Sequence, residues 1–420
     1  MSKKFSNVEE IVAARMCLGC GVCASACKPG AIELRDVEGE GIRPFYTSAE
    51  AKAECTDGVK VCPGIETDFR GSDNTKMWGP VLEIWEGYAT DPEIRFQGSS
   101  GGALTALGLY CIEKAGMSGV LQVGQDPDSV VHNRTRLSKK RDHLMSACGS
   151  RYAPAAVGDG LGLVEGAEAS CAIVGKPAEV SGIRKAMALR PELASKVGVI
   201  MSFFCAETPS TKGTRALIQH LGEKEDGLER VWYRGKGWPG HFTPVLKGGA
   251  ESNKTMPYRD AWKFLTSYRP WSTHLWPDGG GELADISCGD PWYEKPDGEN
   301  PGFSLVVVRT ERGREIVKGA MEAGYLSMTK AESWKLDKSQ GSLSKKKGDV
   351  WGRRLAMKLC GLPVADLPGA GMFYCWKMLS VENKLRSVVG SLRRIVGRKL
   401  GKPFIPDREA ARPVGKPMNC

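Results

Sequence analysis

The chain lacks any apolar run long enough to cross a membrane. Its longest mostly apolar stretch, Val197 to Ala206, falls far short of the roughly 20 residues a spanning helix needs. The first residues, MSKKFSNVEE, are polar and charged and carry no apolar core of a secretion signal, so a cytoplasmic address is expected. Helix-turn-helix, RNA-binding and zinc-finger patterns are missing too. The net charge of +10 therefore does not argue for nucleic acid. It suits an acidic protein, a polyanionic coenzyme or an anionic lipid surface. No fixed-period repeat is present, which excludes a solenoid. With 420 residues the chain has room for two or three domains. Cysteine is what it has in abundance: fourteen residues, six of them between positions 17 and 62. Without a secretion signal, such crowding points to metal or redox chemistry before disulfides.

The crowded segment reads Cys17-x2-Cys20-x2-Cys23-x3-Cys27, the spacing of bacterial ferredoxins. Two-residue gaps let one tight loop aim three thiolates at adjacent corners of a cubane, and Gly19 and Gly21 allow the backbone to turn close to inorganic sulfide. In two-cluster ferredoxins the fourth cysteine of the run serves the other cluster, and a distant Cys-Pro completes the first. Cys62-Pro63 is the natural donor. Cys17, Cys20, Cys23 and Cys62 are therefore assigned to one [4Fe–4S] cluster. Cys27 and Cys55 are left over as secondary ligand candidates, since two thiolates do not hold a cluster. The alternative, a zinc knuckle, wants two cysteine pairs, which the triple spacing fits poorly.

Residues 1–70 thus form an iron–sulfur module, and GSDNTKMWGP at 71–80 reads as a polar linker. Beyond it, apolar strands alternate with helices. A glycine-rich turn at Gly98–Gly102 opens a helix to about Lys114, and a strand starts at Gly119. Cys171–Val174, Val197–Phe204 and Ser304–Val308 are further strands, with helices to about Ala188, His220 and Ala323. This rhythm predicts an α/β core, α+β overall, around a mixed sheet. From 331 to 420 the chain is basic. A helix over 380–400 places Val381, Leu385, Val388, Val389, Leu392, Ile395 and Val396 at helical spacing, predicting a packed apolar stripe under a solvated basic face. The other readings of that helix are docking to an acidic partner or lying on an anionic membrane. The last twenty residues, rich in Pro, Arg and Lys, read as a flexible tail.

Several ordered motifs follow the cysteine module. They are Phe96–Leu107 (FQGSSGGALTAL), Gly149-Ser150-Arg151-Tyr152, Gly175-Lys176-Pro177, Phe203–Ala206, Tyr233–Gly240 (YRGKGWPG) and Leu283–Asp290 (LADISCGD). Together they resemble the coenzyme F420 hydrogenase/dehydrogenase beta-subunit family, which includes 7-hydroxymethyl chlorophyll a reductase, over about residues 15–330. The resemblance implies an FAD-containing iron–sulfur oxidoreductase. Such a protein passes electrons between a [4Fe–4S] centre and FAD, then to a two-electron acceptor such as coenzyme F420 or another unsaturated small molecule. It implies a flavin-binding region at 80–165 and a second core region at 166–330. Its partners would be ferredoxin or another acidic redox subunit; a homo-oligomer stays open. Two other roles stay open, a non-catalytic electron-transfer subunit and a degenerate flavin-binding member serving in assembly or sensing.

On that resemblance Ser99, Ser100, Gly101, Gly102 and Thr105 would receive the flavin pyrophosphate at a helix start. Ser150, Arg151, Tyr152 and Lys176 would complete the site, with Arg151 and Lys176 neutralising charge. His274 and Asp285 are the catalytic candidates, although a satisfied loop histidine and a helix-capping carboxylate are the commoner roles for such residues. His241 and Asp290 are read the same way. The chain departs from the family where many members have three further cysteines: Ala178, Thr273 and Trp276 stand there, and only Cys205 remains. Cys111, Cys360 and Cys375 have apolar neighbours and read as core.

Overall fold

The computed structural model describes residues 4–71, 74–295 and 300–420. Short runs rich in Val, Ile and Leu pair into one nine-stranded sheet. Its order is Leu326–Lys330, Glu83–Ala89, Ser304–Val308, Ile286–Gly289, Val197–Phe203, Cys171–Gly175, Gly119–Asp126, Ser129–Ser138 and Met418–Asn419. The four strands from Ile286–Gly289 to Gly119–Asp126 run parallel, while antiparallel strands flank them. Cys171–Gly175 and Ser304–Val308 are buried at every position, because helices cover both faces of the sheet. The helices Ala103–Glu113, Pro177–Leu189, Thr211–His220 and Glu311–Glu322 fall where the apolar spacing predicts them. The α/β expectation thus holds, with a mixed sheet at its centre. Residues 80–165 and 166–330 build this sheet together, since Glu83–Ala89 lies between two strands of the later stretch.

Two smaller sheets flank it. Leu228–Trp232, His241–Leu246 and Met256–Pro257 form an antiparallel lobe over Leu217, Val231, Phe242 and Leu265. In the cysteine module, Ile32–Val37 pairs with Gly41–Tyr46 and also with Arg412–Pro413 from the far end of the chain.

Four expectations are corrected. Segment 71–80 is no free linker: residues 72 and 73 lie outside the described residues, but Asn74–Thr75 pairs with Gly79–Pro80, and Trp78 is buried beside Ile84 and Leu305. A tryptophan inserted in the core makes its segment part of the body. The last residues are no flexible tail. Val414 N–H donates to Leu34 O at 2.9 Å, and Met418–Asn419 pairs in parallel with Arg136–Leu137. Composition does not report such backbone pairing. The helix Val381–Gly397 buries Ser387, Ser391 and Ile395 and turns most of its apolar stripe outward. Gly352 of the neighbouring helix lets the backbones approach so closely at Ser387 that a large side chain would not fit there. Finally, Cys111 and Cys375 are core residues, whereas Cys360 is exposed just beyond a helix end.

Candidate functional site

Cys17, Cys20, Cys23 and Cys62 line one small cavity, closed by Leu34, Ile42 and Pro44 of the module's hairpin. The loop can follow this path because Gly21 sits at φ +77°, where its missing side chain lets it abut Ala156. Burial, reinforced by the neighbouring sulfurs, pushes the Cys20 and Cys23 thiols well up and the Cys62 thiol to about 12. Buried thiolates that repel each other need positive charge among them, which an iron–sulfide core provides. Among the described residues no three His, Cys, Asp or Glu side chains converge to hold a single ion. The four sulfurs stand around a space instead of meeting at a point. Cys27 and Cys55 are not in this ring. They are disulfide-bonded to each other, with Cα atoms 5.2 Å apart.

A second, much larger cavity of about 310 Å³ opens at the carboxyl ends of the parallel strands. Val174–Lys176, Phe203–Glu207 and Cys288–Asp290 each leave the sheet into it. This is where open α/β sheets bind ligands, because loops diverge there and helix N-termini point inward. Of the helices that begin at the cavity, Pro177–Leu189 and Ala103–Glu113 differ in one respect. At Pro177–Leu189 the Glu179 carboxylate folds back: Oε2 accepts the Lys176 N–H at 2.7 Å and Oε1 accepts Lys176 Nζ at 2.6 Å. That end is already neutralised. At Ala103–Glu113 no side chain caps the helix, and Gly102, Ala103, Leu104 and Thr105 face the cavity. Of the pair, that uncapped end is the one whose backbone N–H groups and dipole suit an anion.

Of the residues predicted to hold the flavin, Ser99, Ser100, Gly102, Thr105, Ser150, Arg151, Tyr152 and Lys176 line this cavity. Gly101 does not. It packs against the sheet, where a Cβ would fall 2.7 Å from Gly87 O, and its N–H donates to Ser304 Oγ. Several side chains have structural partners. Ser99 Oγ accepts from Ser150 N–H at 2.6 Å, tying the two loops together. Arg151 commits its guanidinium to Asn133 Oδ1, Gln125 Oε1 and the carbonyls of Val130, His132 and Val231. It shapes the cavity wall and has no N–H left over for a phosphate.

Sequence reasoning missed the far end of the cavity. Arg234, 1% exposed, donates to both Asp290 oxygens at 2.6 and 3.0 Å and stacks on the Tyr258 ring at 4.2 Å. Trp262 and Trp292 join them in the lining. Burial works against this guanidinium's charge, but Asp290 outweighs it and raises the pKa. Glu207 was missed as well. Burial would raise its carboxyl, but the His274 hydrogen bond and the charges of Lys346 and Arg269 hold it down to about 2. His274 sits behind Glu207, Nδ1 to Oε1 2.9 Å, and is not in the lining. Asp285 is a tie within the fold. It accepts from Ile200 N–H, Arg184 and Thr310 Oγ1. His241 is exposed on its strand. No sequence signal marks Arg234 and Asp290 as a pair, since 56 residues separate them.

The two sites share a wall. Gly158 N–H donates to Cys20 O at 3.0 Å, and Val157, the residue before it, lines the large cavity. Cys20 and Val157 belong to one apolar cluster. At two of the positions where the resemblance leads one to expect cysteines, Ala178 and Trp276 are packed with Phe69, the indole 5.7 Å from the Phe69 ring. Thr273 Oγ1 donates to Pro270 O.

The family model described as coenzyme F420 hydrogenase/dehydrogenase, beta subunit N-term matches residues 84–161, and the model of its C terminus matches 169–333. The two cover more than half of the chain. The chain belongs to the coenzyme F420 hydrogenase/dehydrogenase beta-subunit family. The coenzyme F420 hydrogenase subunit beta of Methanococcus voltae is 27% identical over 246 residues, 57% of this chain and 80% of that protein. The F420-dependent formate dehydrogenase 1 subunit beta of Methanococcus maripaludis is 27% identical over 253 residues, 59% of this chain and 62% of that protein. A chain in the structure of the F420-reducing [NiFe] hydrogenase complex from Methanosarcina barkeri has the same fold. It superposes with a TM-score of 0.53 at 22% identity, covering 68% of this chain and 96% of that one. Family membership gives the paired sites their context: the large cavity lies within the two matched regions, apart from Gln340, Ser342 and Leu343. The cysteine ring lies outside them, in an N-terminal module that this member carries.

Proposed function

We propose that this family member is an iron–sulfur flavoprotein oxidoreductase. Cys17, Cys20, Cys23 and Cys62 would hold a [4Fe–4S] cluster and the large cavity FAD, with reduction of a two-electron acceptor as the outcome. The observation that carries this reading is the shared wall: one turn, Ala156–Gly158, touches the cysteine loop on one side and the cavity on the other. When bound, a cluster supplies single electrons and a flavin exchanges them for pairs. The chain's own residues do the rest. The uncapped start of Ala103–Glu113 receives the pyrophosphate, while Ser99 and Ser150 lock the two loops around it. Val157, Val174 and Phe203 supply an apolar part of the cavity wall. Arg234, fixed by Asp290, and the rings of Tyr258 and Trp292 form a flat-sided end suited to a planar acceptor.

The acceptor named for the relatives is coenzyme F420, and we take it as the first candidate here. The basic balance of the chain suits such a polyanion, and equally an acidic protein donor such as ferredoxin or a redox subunit. Anaerobic purification with iron, sulfide and flavin quantified tests the proposal. About four irons per chain and one FAD are expected. Iron near zero, or about eight, would refute the single-cluster assignment. With reduced ferredoxin the flavin absorbance should bleach and then return on adding coenzyme F420. A second reading, a non-catalytic subunit, is favoured by the relatives' being subunits of larger enzymes. It predicts that the absorbance returns only when a partner subunit is added.

A further inference from the structure

The helix Val381–Gly397 is built the wrong way round for a helix facing water. Its inward face is small and polar around its middle, where Ser387 and Ser391 are buried and Gly352 opposite lets Ser387 approach closely, and Ile395 and Leu392 pack into an apolar cluster below it. Its outward face carries Val381, Leu385, Val389 and Val396, exposed by 72, 59, 41 and 73%. Spacings of four, four and seven residues set these on one side of the helix. The preceding helix, Met372–Met378, adds exposed Phe373, Tyr374 and Met378 beside them in sequence. Large apolar side chains left exposed along one helix face and on the helix before it mark an interaction site.

Charge identifies the occupant. Between Lys377 and Lys402 stand eight Lys and Arg residues against a single acid, Glu382. Lys377, Arg386, Arg393, Arg398, Lys399 and Lys402 are exposed around the apolar ridge. Two copies of this surface would bring like charges together, which opposes self-association. A narrow apolar ridge framed by cations, with aromatic side chains alongside, is the pattern of helices that lie in the plane of a bilayer. Among the described residues no helix is long and apolar enough to cross one, so the contact is peripheral. We infer that the Met372–Gly397 hairpin is a docking surface for an anionic membrane. The apolar ridge enters the headgroup boundary, and the Lys and Arg residues meet acidic headgroups.

Flotation of the full-length protein with vesicles tests this. It should float with vesicles that mix phosphatidylcholine and phosphatidylglycerol, not with phosphatidylcholine alone, and raised salt should release it. The double variant Leu385→Asp, Val389→Asp should stay unbound with an unchanged circular dichroism spectrum and Tm, because both side chains already face water. Arg386→Ser with Arg393→Ser should weaken binding roughly thirtyfold. No flotation with the mixed vesicles would overturn the inference, as would flotation that survives the aspartate variant. A dimer dissolved by that variant in analytical ultracentrifugation, or an acidic protein displaced by it, would give the ridge a different occupant and overturn the inference too.

Discussion

At the cavity rim, Glu207 is an acid held ionised by its surroundings. Its carboxyl sits at about 2 in the fold, below the usual carboxylate value of 4.5. A depressed carboxyl stabilises the fold above its unfolded pKa and loses that contribution as pH falls toward the folded one. Glu207→Gln should therefore lower stability at neutral pH by ~3 kcal/mol, with the difference from wild type shrinking between pH ~4.5 and ~2. Denaturant melts across that range measure it. The cysteines separate by position in the same way. Cys62→Ser should strip most of the iron, whereas Cys27→Ser, outside the ring, should leave iron content unchanged. Equal iron in both variants would refute the ligand assignment. Local spacing gave the ring three of its members, and the Cys62-Pro63 pair marked the distant fourth. Spacing could not tell that Arg151 is fully engaged by carbonyls, since those carbonyls lie on strands far along the chain.

Among the helix starts that face the cavity, a single carboxylate distinguishes Pro177–Leu189 from Ala103–Glu113. Glu179 fills the end of Pro177–Leu189, whereas the end of Ala103–Glu113, where we propose the pyrophosphate binds, has no side-chain cap. That end depends on Gly102 at φ +74°, where a Cβ would also meet Ile94 O at 2.7 Å. Gly102→Ala should cost at least ~1 kcal/mol and lower the flavin retained on purification. A fully flavinylated, equally stable variant would move the pyrophosphate elsewhere. The elements themselves were largely readable, since runs of buried Val and Ile and helical apolar spacing depend only on neighbouring residues. The outward stripe on Val381–Gly397 was read with the wrong face inward. Periodicity finds an apolar face but does not say what it meets.

Across the whole molecule, the C-terminal segment ties the cysteine module to the main sheet. Phe404 bonds to Ala13, Arg412–Pro413 extends the module's hairpin, and Met418–Asn419 pairs with the edge strand Ser129–Ser138. Removing residues 412–420 should lower Tm by a few degrees and make the module protease-sensitive, with flavin retained. Limited proteolysis followed by mass spectrometry locates the cut. An intact, equally resistant module would show that the strap is dispensable. The net charge of +10 acts at this scale too. Stopped-flow reduction by an acidic ferredoxin should slow steeply as salt rises, because screening shortens the reach of the attraction to about 10 Å at 0.1 M. A salt-independent rate would exclude electrostatic docking.

The residue order by itself determined the Cys17–Cys23 loop with its Cys62-Pro63 partner motif, the alternating strands and helices, and the glycine-rich turn, all of which are written in short local patterns. Only the tertiary structure decided that the cysteine loop and the cavity share the turn at Ala156–Gly158. It also decided that Arg234 meets Asp290, and that the last strand closes the edge of the sheet. Each of these joins residues remote in sequence, and burial and backbone pairing between remote segments leave no local pattern to read.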